Sequence, residues 1–265
     1  MIIMRVKNQI IKILFKFGYG VKKLKRNFDV ILNEVFDLVY EHNEELVIFD
    51  VGANDGGSIE RFRKFIKNPI HIYSFEPSKQ LFDELHKKYS ENNDVTLVNI
   101  GVGDVTSEIV FNDHIIAHSS STFNKIISDT KFAEKRNLNV DKYKVPIDSL
   151  DNYCRKNRLN KINLLKIDVE GFEEFVIKGA EKLLSKNLID VIEIEVLITQ
   201  VYDKRTSIYD IEKGLIDYGY RLIALSNDGR FYNMAAFDVL LNRELFLDLI
   251  YVNSKIFHKI RKLMM

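Results

Sequence analysis

From residue 46 onward the chain alternates short apolar runs with longer stretches whose apolar positions recur three and four apart. The short runs read as strands over 46–50, 70–75, 95–99, 162–168, 188–196, 220–225 and 235–241. The 3.6-periodic stretches read as helices over 57–67, 78–90, 149–157, 172–185 and 207–218. Strands separated by helices imply right-handed crossovers. The expected fold is therefore α/β, a doubly wound, mostly parallel seven-stranded sheet with helices on both faces and added N- and C-terminal helices. Val47-Ile48-Phe49 and Ile162-Asn163-Leu164-Leu165 have the near-continuous apolar character of strands buried on both sides.

The flanks behave differently. In the first 20 residues Ile3, Val6, Ile10, Ile13, Leu14 and Phe17 share one helical face, with Arg5, Lys12 and Lys16 roughly opposite. A second helix starts after Asn27 as N-cap and carries an apolar stripe of Phe28, Ile31, Leu32, Val35, Phe36 and Val39, most simply core. Residues 100–147 break the alternation. Gly101, Gly103 and Asp104 mark a turn, Glu108–Phe111 looks extended, and 112–143 is polar, as in a functional lid or a disordered segment. Residues 242–265 read as a helix-like tail. The expected organisation is N-terminal amphipathic helices over 1–45, the α/β domain over 46–241 with its insertion at 100–147, and a basic C-terminal helix over 242–265.

The first strand ends at Asp50 and is followed by a small-residue loop with Gly52, Gly56 and Gly57, then by an amphipathic helix. Glycines admit a ligand close to the backbone, and a helix N-terminus directs free N–H groups at it. The spacing is not the G-x-G-x-x-G of dinucleotide sites. An acid beside the loop repels a pyrophosphate, whereas S-adenosylmethionine brings a cationic amine and sulfonium. Its carboxylate can be taken by backbone N–H groups, so that donor suits the loop better; an ordinary strand-to-helix turn is the plain alternative. The second strand ends at Glu76-Pro77, where an acid can bond a ribose diol. Such an acid serves either nucleotide, so Glu76 speaks for the fold more than for the cofactor.

Leu164–Glu173 carries the strongest second signal. An apolar strand ends in Asp168 and Glu170, and Gly171 closes the turn. Lys166 inside that strand is costly to bury unpaired, so Asp168 or Glu170 is its expected partner. In a doubly wound sheet these acids sit beside the first strand. Asp168, then Glu170, are the candidates for the base or orienting group of a transfer to a hydroxyl; a purely structural turn paired with Lys166 is the other reading. A Mg²⁺ site built by Asp168, Glu170 and Glu193 or Glu195 is a competing mechanism with nothing to fix its geometry. His114 and His118 lack a third ligand and read as loop histidines. Ser119 to Thr122 could bind a carboxylate or sugar hydroxyl, although a solvated loop is the simpler reading.

Composition narrows the classes. A net charge of +1 argues against a general nucleic-acid binder. That average hides basic ends: eight Lys/Arg and no acid over 1–26, and Lys255, Lys259, Arg261 and Lys262 without an acid over 251–265. A basic amphipathic helix can lie on anionic lipid, pack on its own domain or join a second subunit in a homodimer, and the sequence does not separate these. Cys154, the single cysteine, falls at an apolar helical position and reads as buried. One cysteine, no long apolar span and no signal peptide lead to the expectation of a cytoplasmic protein, peripheral to the membrane if its ends bind lipid.

Taken together, four segments resemble the FkbM family of S-adenosylmethionine-dependent methyltransferases. Asp50-Val51-Gly52-Ala53-Asn54-Asp55-Gly56 is similar to the family's donor loop, Phe75-Glu76-Pro77 to its ribose acid, and Asn99–Asp104 to its third-strand turn. Ser149–Tyr153, with Leu165–Glu173 and Lys178-Gly179-Ala180, is similar to its most distinctive block. The resemblance spans about 46–200 and departs at Gly101, where alanine is common. It implies S-adenosyl-L-methionine as cofactor, bound by Asp50, Gly52, Ala53, Asn54, Gly56, Glu76 and Asn99 (the last near the adenine), with Asp168, Glu170 and Lys166 as the catalytic group. It also implies O-methylation of a hydroxyl on a small molecule or glycan. The rivals are an NAD-dependent enzyme and a non-catalytic domain that binds lipid or a partner through its basic ends.

Overall fold

The computed structural model describes residues 28–114, 121–124, 140–197, 207–226 and 246–264. The amphipathic segment at 1–20, the expected strand at 235–241, and His118 lie outside them.

Along the chain run α1 (Phe28–Val39), β1 (Leu46–Val51), α2 (Gly57–Phe65), β2 (Ile70–Phe75), α3 (Lys79–Tyr89) and β3 (Val95–Val98). The inserted region gives β4 (Gly101–Val102), β5 (Ser107–His114) and β6 (Val140–Asp148). Then come α4 (Leu150–Asn157), β7 (Ile162–Ile167), α5 (Glu173–Lys178), α6 (Glu181–Ser185) and β8 (Ile189–Leu197). The last elements are α7 (Ile208–Ile216), β9 (Arg221–Ser226), β10 (Phe246–Val252) and α8 (Ser254–Met264).

Seven strands pair in the order β3-β2-β1-β7-β8-β10-β9. β1 is parallel to β2 and β7, and β7 to β8, while β10 runs antiparallel between β8 and β9. The expected mostly parallel seven-stranded sheet is therefore present. Alternation along β1 sends Phe49 and Val51 into one core layer and Leu46 and Ile48 into the other. The first layer is completed by α4, α5, α6 and α7 through Leu150, Val176, Leu183 and Ile211; the second by α1, α2, α3 and α8 through Phe36, Phe62, Leu85 and Ile256. The stripe expected on α1 is core: Leu32, Val35 and Phe36 are buried. Cys154 is buried in the first layer, where burial pushes its thiol up to about 12.

Three expectations change. The tail over 242–265 is not helical throughout, because Phe246–Val252 is strand β10 and only Ser254–Met264 is helix. Its sequence FLDLIYV is apolar at nearly every position, and such a run carries no period to tell strand from helix. The helix read over 172–185 is two helices broken at Gly179–Ala180. There the Gly179 carbonyl accepts the Asp151 N–H at 2.9 Å, and the Asp151 carboxylate accepts the N–H groups of Lys182 and Leu183 at 2.8 and 3.0 Å. Asp151 thus caps α6 from another element. Within the insertion, where the sequence reads only Glu108–Phe111 as extended, the described residues of β4, β6 and β5 form a second sheet, with β5 and β6 antiparallel.

Gly179 explains how that second sheet docks. A Cβ there would fall 1.9 Å from the Gly103 carbonyl oxygen and 3.2 Å from the Ser149 Cβ. Backbone cannot step aside as a side chain can, so Gly179→Ala should destabilise by about 1–3 kcal/mol through overpacking. Gly214, in α7, would meet only Ile177 Cγ2 at 3.6 Å; Gly214→Ala should be neutral or stabilise by up to about 1 kcal/mol from helix propensity. Urea midpoints at constant slope compare the two, and equal effects would refute the steric account.

Candidate active site

Two clefts open at the carboxyl ends of β1, β2, β7 and β8, each with roughly 700–750 Å³ of space that is partly open to solvent. They share Gly52, Asn54, Asp168 and Glu195. The loop after β1 forms their common floor. Gly52 has φ 88°, and a Cβ there would fall 1.9 Å from the Asp168 carbonyl oxygen, so this close crossing of the β1 and β7 ends admits only glycine. The Gly52 and Ala53 N–H groups donate to the Phe75 carbonyl at 3.1 and 3.0 Å. That bonding leaves Asn54, at φ 48°, to donate its own N–H to the Glu76 carboxylate at 2.8 Å.

Glu76 is buried, and its other oxygen accepts the Ser78 N–H at 2.8 Å. Burial outweighs both hydrogen bonds and raises its pKa to about 7. Around it the first cleft is lined by Phe75, Ile100, Val102, Phe111 and Phe123, an apolar slot with Glu76 at its edge and Asp168, Glu170 and Glu195 also on the cleft's lining. The second sheet and the segment 121–124 close this slot. Asp113 on β5 accepts hydrogen bonds from Ser78 Oγ at 2.8 Å, Tyr143 OH at 2.6 Å and Ser121 Oγ at 3.0 Å. Thr122 Oγ1 donates to the Glu170 carbonyl at 2.7 Å, and Asn124 Nδ2 to the Gly171 carbonyl at 2.6 Å. Residues 121–124 therefore form a strap from β5 to the turn after β7. The solvated loop expected for Ser121 and Thr122 is corrected: Thr122 is buried and both hydroxyls are spent on the fold.

The second cleft is lined by Ser58, Arg61, Lys166, Asp168, Glu193, Glu195 and Asp248, among others. Lys166 is buried with its ammonium 3.1 Å from Asp168 Oδ2 and 3.6 Å from Asp50 Oδ1. Burial opposes its charge, yet the two carboxylates outweigh burial and raise its pKa. Arg61 of α2 joins Glu193 to Asp29 of α1. Glu195 shares both clefts with Asp168; burial, then the charges of Asp168, Asp248 and Glu170, push it up to about 9, so it holds a proton at neutral pH. Glu170, at φ 52° in the turn closed by Gly171, lines the first cleft.

The site residues read from the sequence divide accordingly. Gly52, Asn54, Glu76, Asp168 and Glu170 line the first cleft, and Gly52, Ala53, Asn54, Lys166 and Asp168 the second. Asp50, Gly56 and Asn99 stand behind these walls, not on them. Asp50 is wholly buried within β1 and faces Lys166, its register partner on β7. Gly56 has φ 84°, and a Cβ would meet Leu85 and Tyr89 within 3 Å, so it serves the packing of α2 on α3. Asn99 donates its amide to the carbonyls of Glu76 and Pro77 at 2.8 and 3.4 Å, bracing the acid from behind. Lys166 pairs with Asp168 as expected and with Asp50, which was not foreseen. In the competing metal set, the Glu193 carboxylate is taken by Arg61, which leaves Glu195 as the member that shares a cleft with Asp168 and Glu170. His114 is a buried β5 residue, not a loop histidine.

Comparison with known proteins follows the same segments. The model of the methyltransferase FkbM domain matches residues 50–222. This chain belongs to the FkbM methyltransferase family.

Two curated proteins are similar to this FkbM chain. One is the 2-O-methyltransferase NoeI of Sinorhizobium fredii, 24% identical over 180 residues, which are 65% of this chain and 72% of NoeI. The other is the hexuronic acid methyltransferase AglP of Haloferax volcanii, 26% identical over 162 residues, 59% of each chain. A solved FkbM methyltransferase from Methylobacillus flagellatus KT aligns at 16% identity and TM-score 0.49, over 80% of this chain and 45% of its own. Nothing in the FkbM motifs pointed to Phe123, Arg61, Glu195 or Asp248, since each lies on an element whose place over the site is set by tertiary packing.

Gly101 links one departure from the family pattern to the strap. A Cβ there would lie 2.5 Å from the Phe123 ring, which also packs on Phe111 and Phe172 at centroid distances of 5.1 and 4.9 Å. This FkbM chain fills with a phenyl ring the space an alanine methyl would take. Gly101→Ala should cost about 1–3 kcal/mol alone and clearly less in a Phe123→Leu background. An additive double-mutant cycle in urea denaturation would show that the two do not share this space.

Proposed function

We propose that the chain is an S-adenosylmethionine-dependent O-methyltransferase acting on a sugar hydroxyl. The observation that carries the reading is the pairing of a buried ribose-type acid, Glu76, with Asp168 across a cleft floored by Gly52 and Asn54. The side chains present suit the donor. Glu76 keeps lone pairs for a diol after its two backbone bonds, and Ile100, Val102, Phe111 and Phe123 suit a purine. The carboxylate of Asp168 suits a sulfonium and an amine, and would repel a dinucleotide's pyrophosphate.

The donor, when bound, supplies an activated methyl group. The chain must therefore hold an acceptor hydroxyl in line and manage its proton. Asp168 accepts the Lys166 ammonium on Oδ2 and is half-exposed to the cleft, so it can take a proton while Lys166 fixes its orientation. Positioning can lower such a barrier by about 7–11 kcal/mol, and a placed base adds roughly 10²–10⁴-fold. Transfer to oxygen is supported by NoeI, named a 2-O-methyltransferase, and a sugar acceptor by AglP, named for hexuronic acid. Among the described residues no helix is long and apolar enough to cross a membrane.

Two outcomes follow. Glu76→Gln should weaken donor binding by about 1–3 kcal/mol, the worth of a hydrogen bond to a charged group. With a free-protein pKa of about 7, Glu76 is protonated below that pH and accepts both diol hydroxyls only when ionised. Donor affinity measured by calorimetry should therefore rise with pH through about 7 and level off above it, and the slope should vanish in Glu76→Gln. A flat wild-type profile would remove Glu76 from the ribose. Asp168→Asn should keep donor affinity and lower turnover by roughly 10²–10⁴-fold; parallel loss of both would assign Asp168 a structural role.

A further inference from the structure

We infer that Asp113, on β5 of the second sheet, is a positioning residue for the donor: through Ser78 it sets the place of the Glu76 carboxylate, and through its charge the readiness of that group to take a ribose diol. This rests on the reading of the first cleft as the nucleoside site. It adds a residue that lies outside the four segments that resemble the FkbM family.

Ser78 is the joint. Its N–H donates to Glu76 Oε1 and its hydroxyl to Asp113 Oδ2, both at 2.8 Å, so one residue holds two carboxylates. All three residues are buried. The Ser78 proton, directed at Asp113, leaves a lone pair for the Leu81 N–H at 3.4 Å, and Ser78 thereby caps α3. Tyr143 of β6 adds a second tie: its OH donates to Asp113 Oδ2 at 2.6 Å and accepts the Lys79 N–H at 3.3 Å. The start of α3 is thus pinned to the second sheet at two successive residues. Glu76 follows that start closely. Each of its oxygens takes one backbone N–H, from Asn54 and from Ser78, so those two groups orient the carboxylate. A diol needs both oxygens presented together, and a displaced Ser78 would turn one of them away.

Asp113 also acts through space. Burial is the largest influence on Glu76 and opposes its ionisation; the Ser78 and Asn54 N–H groups favour it, and the charges of Asp113 and Asp50 oppose it again. Asp113 therefore has two separable effects. Its hydrogen bonds hold the turn, which helps donor binding at every pH. Its charge delays the ionisation of Glu76, which weakens binding only on the acid side. A residue that served the fold alone would have the first effect without the second.

The test is calorimetry of the full chain with S-adenosylhomocysteine from about pH 6 to about pH 8, a range that brackets the rise expected of the wild type. Asp113→Asn removes the charge and keeps an oxygen for the Ser78 hydroxyl. Its affinity at about pH 8 should stay within about threefold of wild type, while the midpoint of the pH profile moves down by roughly half a unit or more. Asp113→Ala removes charge and hydrogen bonds together; it should move the midpoint down as well and lose about five- to tenfold in affinity on the alkaline plateau. Ser78→Ala keeps the N–H on Glu76 and breaks the link to Asp113, so in that background the plateau loss caused by Asp113→Ala should largely disappear. An unmoved midpoint in either Asp113 variant, or additive losses in the double variant, would overturn the inference and leave the donor site standing. Failure of the wild-type chain to bind S-adenosylhomocysteine would overturn the methyltransferase reading, and this inference with it.

Discussion

The rest of the structure is arranged around one buried cation. Lys166 sits in the middle of the sheet with Asp50 as its register partner on one side and Glu193 on the other, and Ser74 pairs in register with Asp50 beyond. Strands lie about 4.8 Å apart, so these four side chains form a polar row across β2, β1, β7 and β8 on a single face. Removing one member of a buried ion pair typically costs 3–5 kcal/mol, because the other is left without a partner. The row is therefore an all-or-none device. It extends upward through Glu193 to Arg61 of α2 and from Arg61 to Asp29 of α1, which ties two helices to the sheet at the edge where the clefts open. Asp168 takes its orientation from this row, and the Gly52 crossing sets its backbone. The edge where the clefts open is thus tied together by the paired charges beneath it.

The second sheet plays a complementary part. Asp113 gathers Ser78, Ser121 and Tyr143, so the turn that carries Glu76 is held from β5, β6 and the strap together. Asn99 braces the same turn from β3 through backbone carbonyls. An acid raised to about 7 by burial stays in place only if its surroundings are fixed, and here four separate segments fix them.

The legible parts of this chain were those set by local pattern. Strand and helix periods gave the sheet, and the loop after β1, the acid after β2 and the acids after β7 were each announced by an apolar run ending in a polar residue. What escaped was set by tertiary contact. Asp50 ends the first strand in the sequence reading and is buried within β1, and its role appears only with Lys166 beside it. Gly56 and Gly179 look like ligand-approach or helix-face glycines, while their missing side chains make room for Tyr89 and the Gly103 carbonyl. Phe246–Val252 has no period to read, so its strand identity, and Asp248 with it, was lost in an expected helix. The strap was misread because Ser121 and Thr122 are polar residues whose partners are set by the fold, Asp113 on β5 and, 48 residues away in sequence, Glu170 in the β7 turn.

These two origins separate the two clefts. The slot around Glu76 and Gly52 is made largely by strand ends inside residues 50–222, the stretch that carries the family match. The acidic wall of the other cleft borrows Asp248 from β10 and its Arg61 bridge is anchored by Asp29 of α1, both outside that stretch. The charge lining the second cleft is thus set in part by Asp248 and by the Asp29 anchor of Arg61, both outside the matched stretch, while Asp168 and Glu195 belong to both clefts.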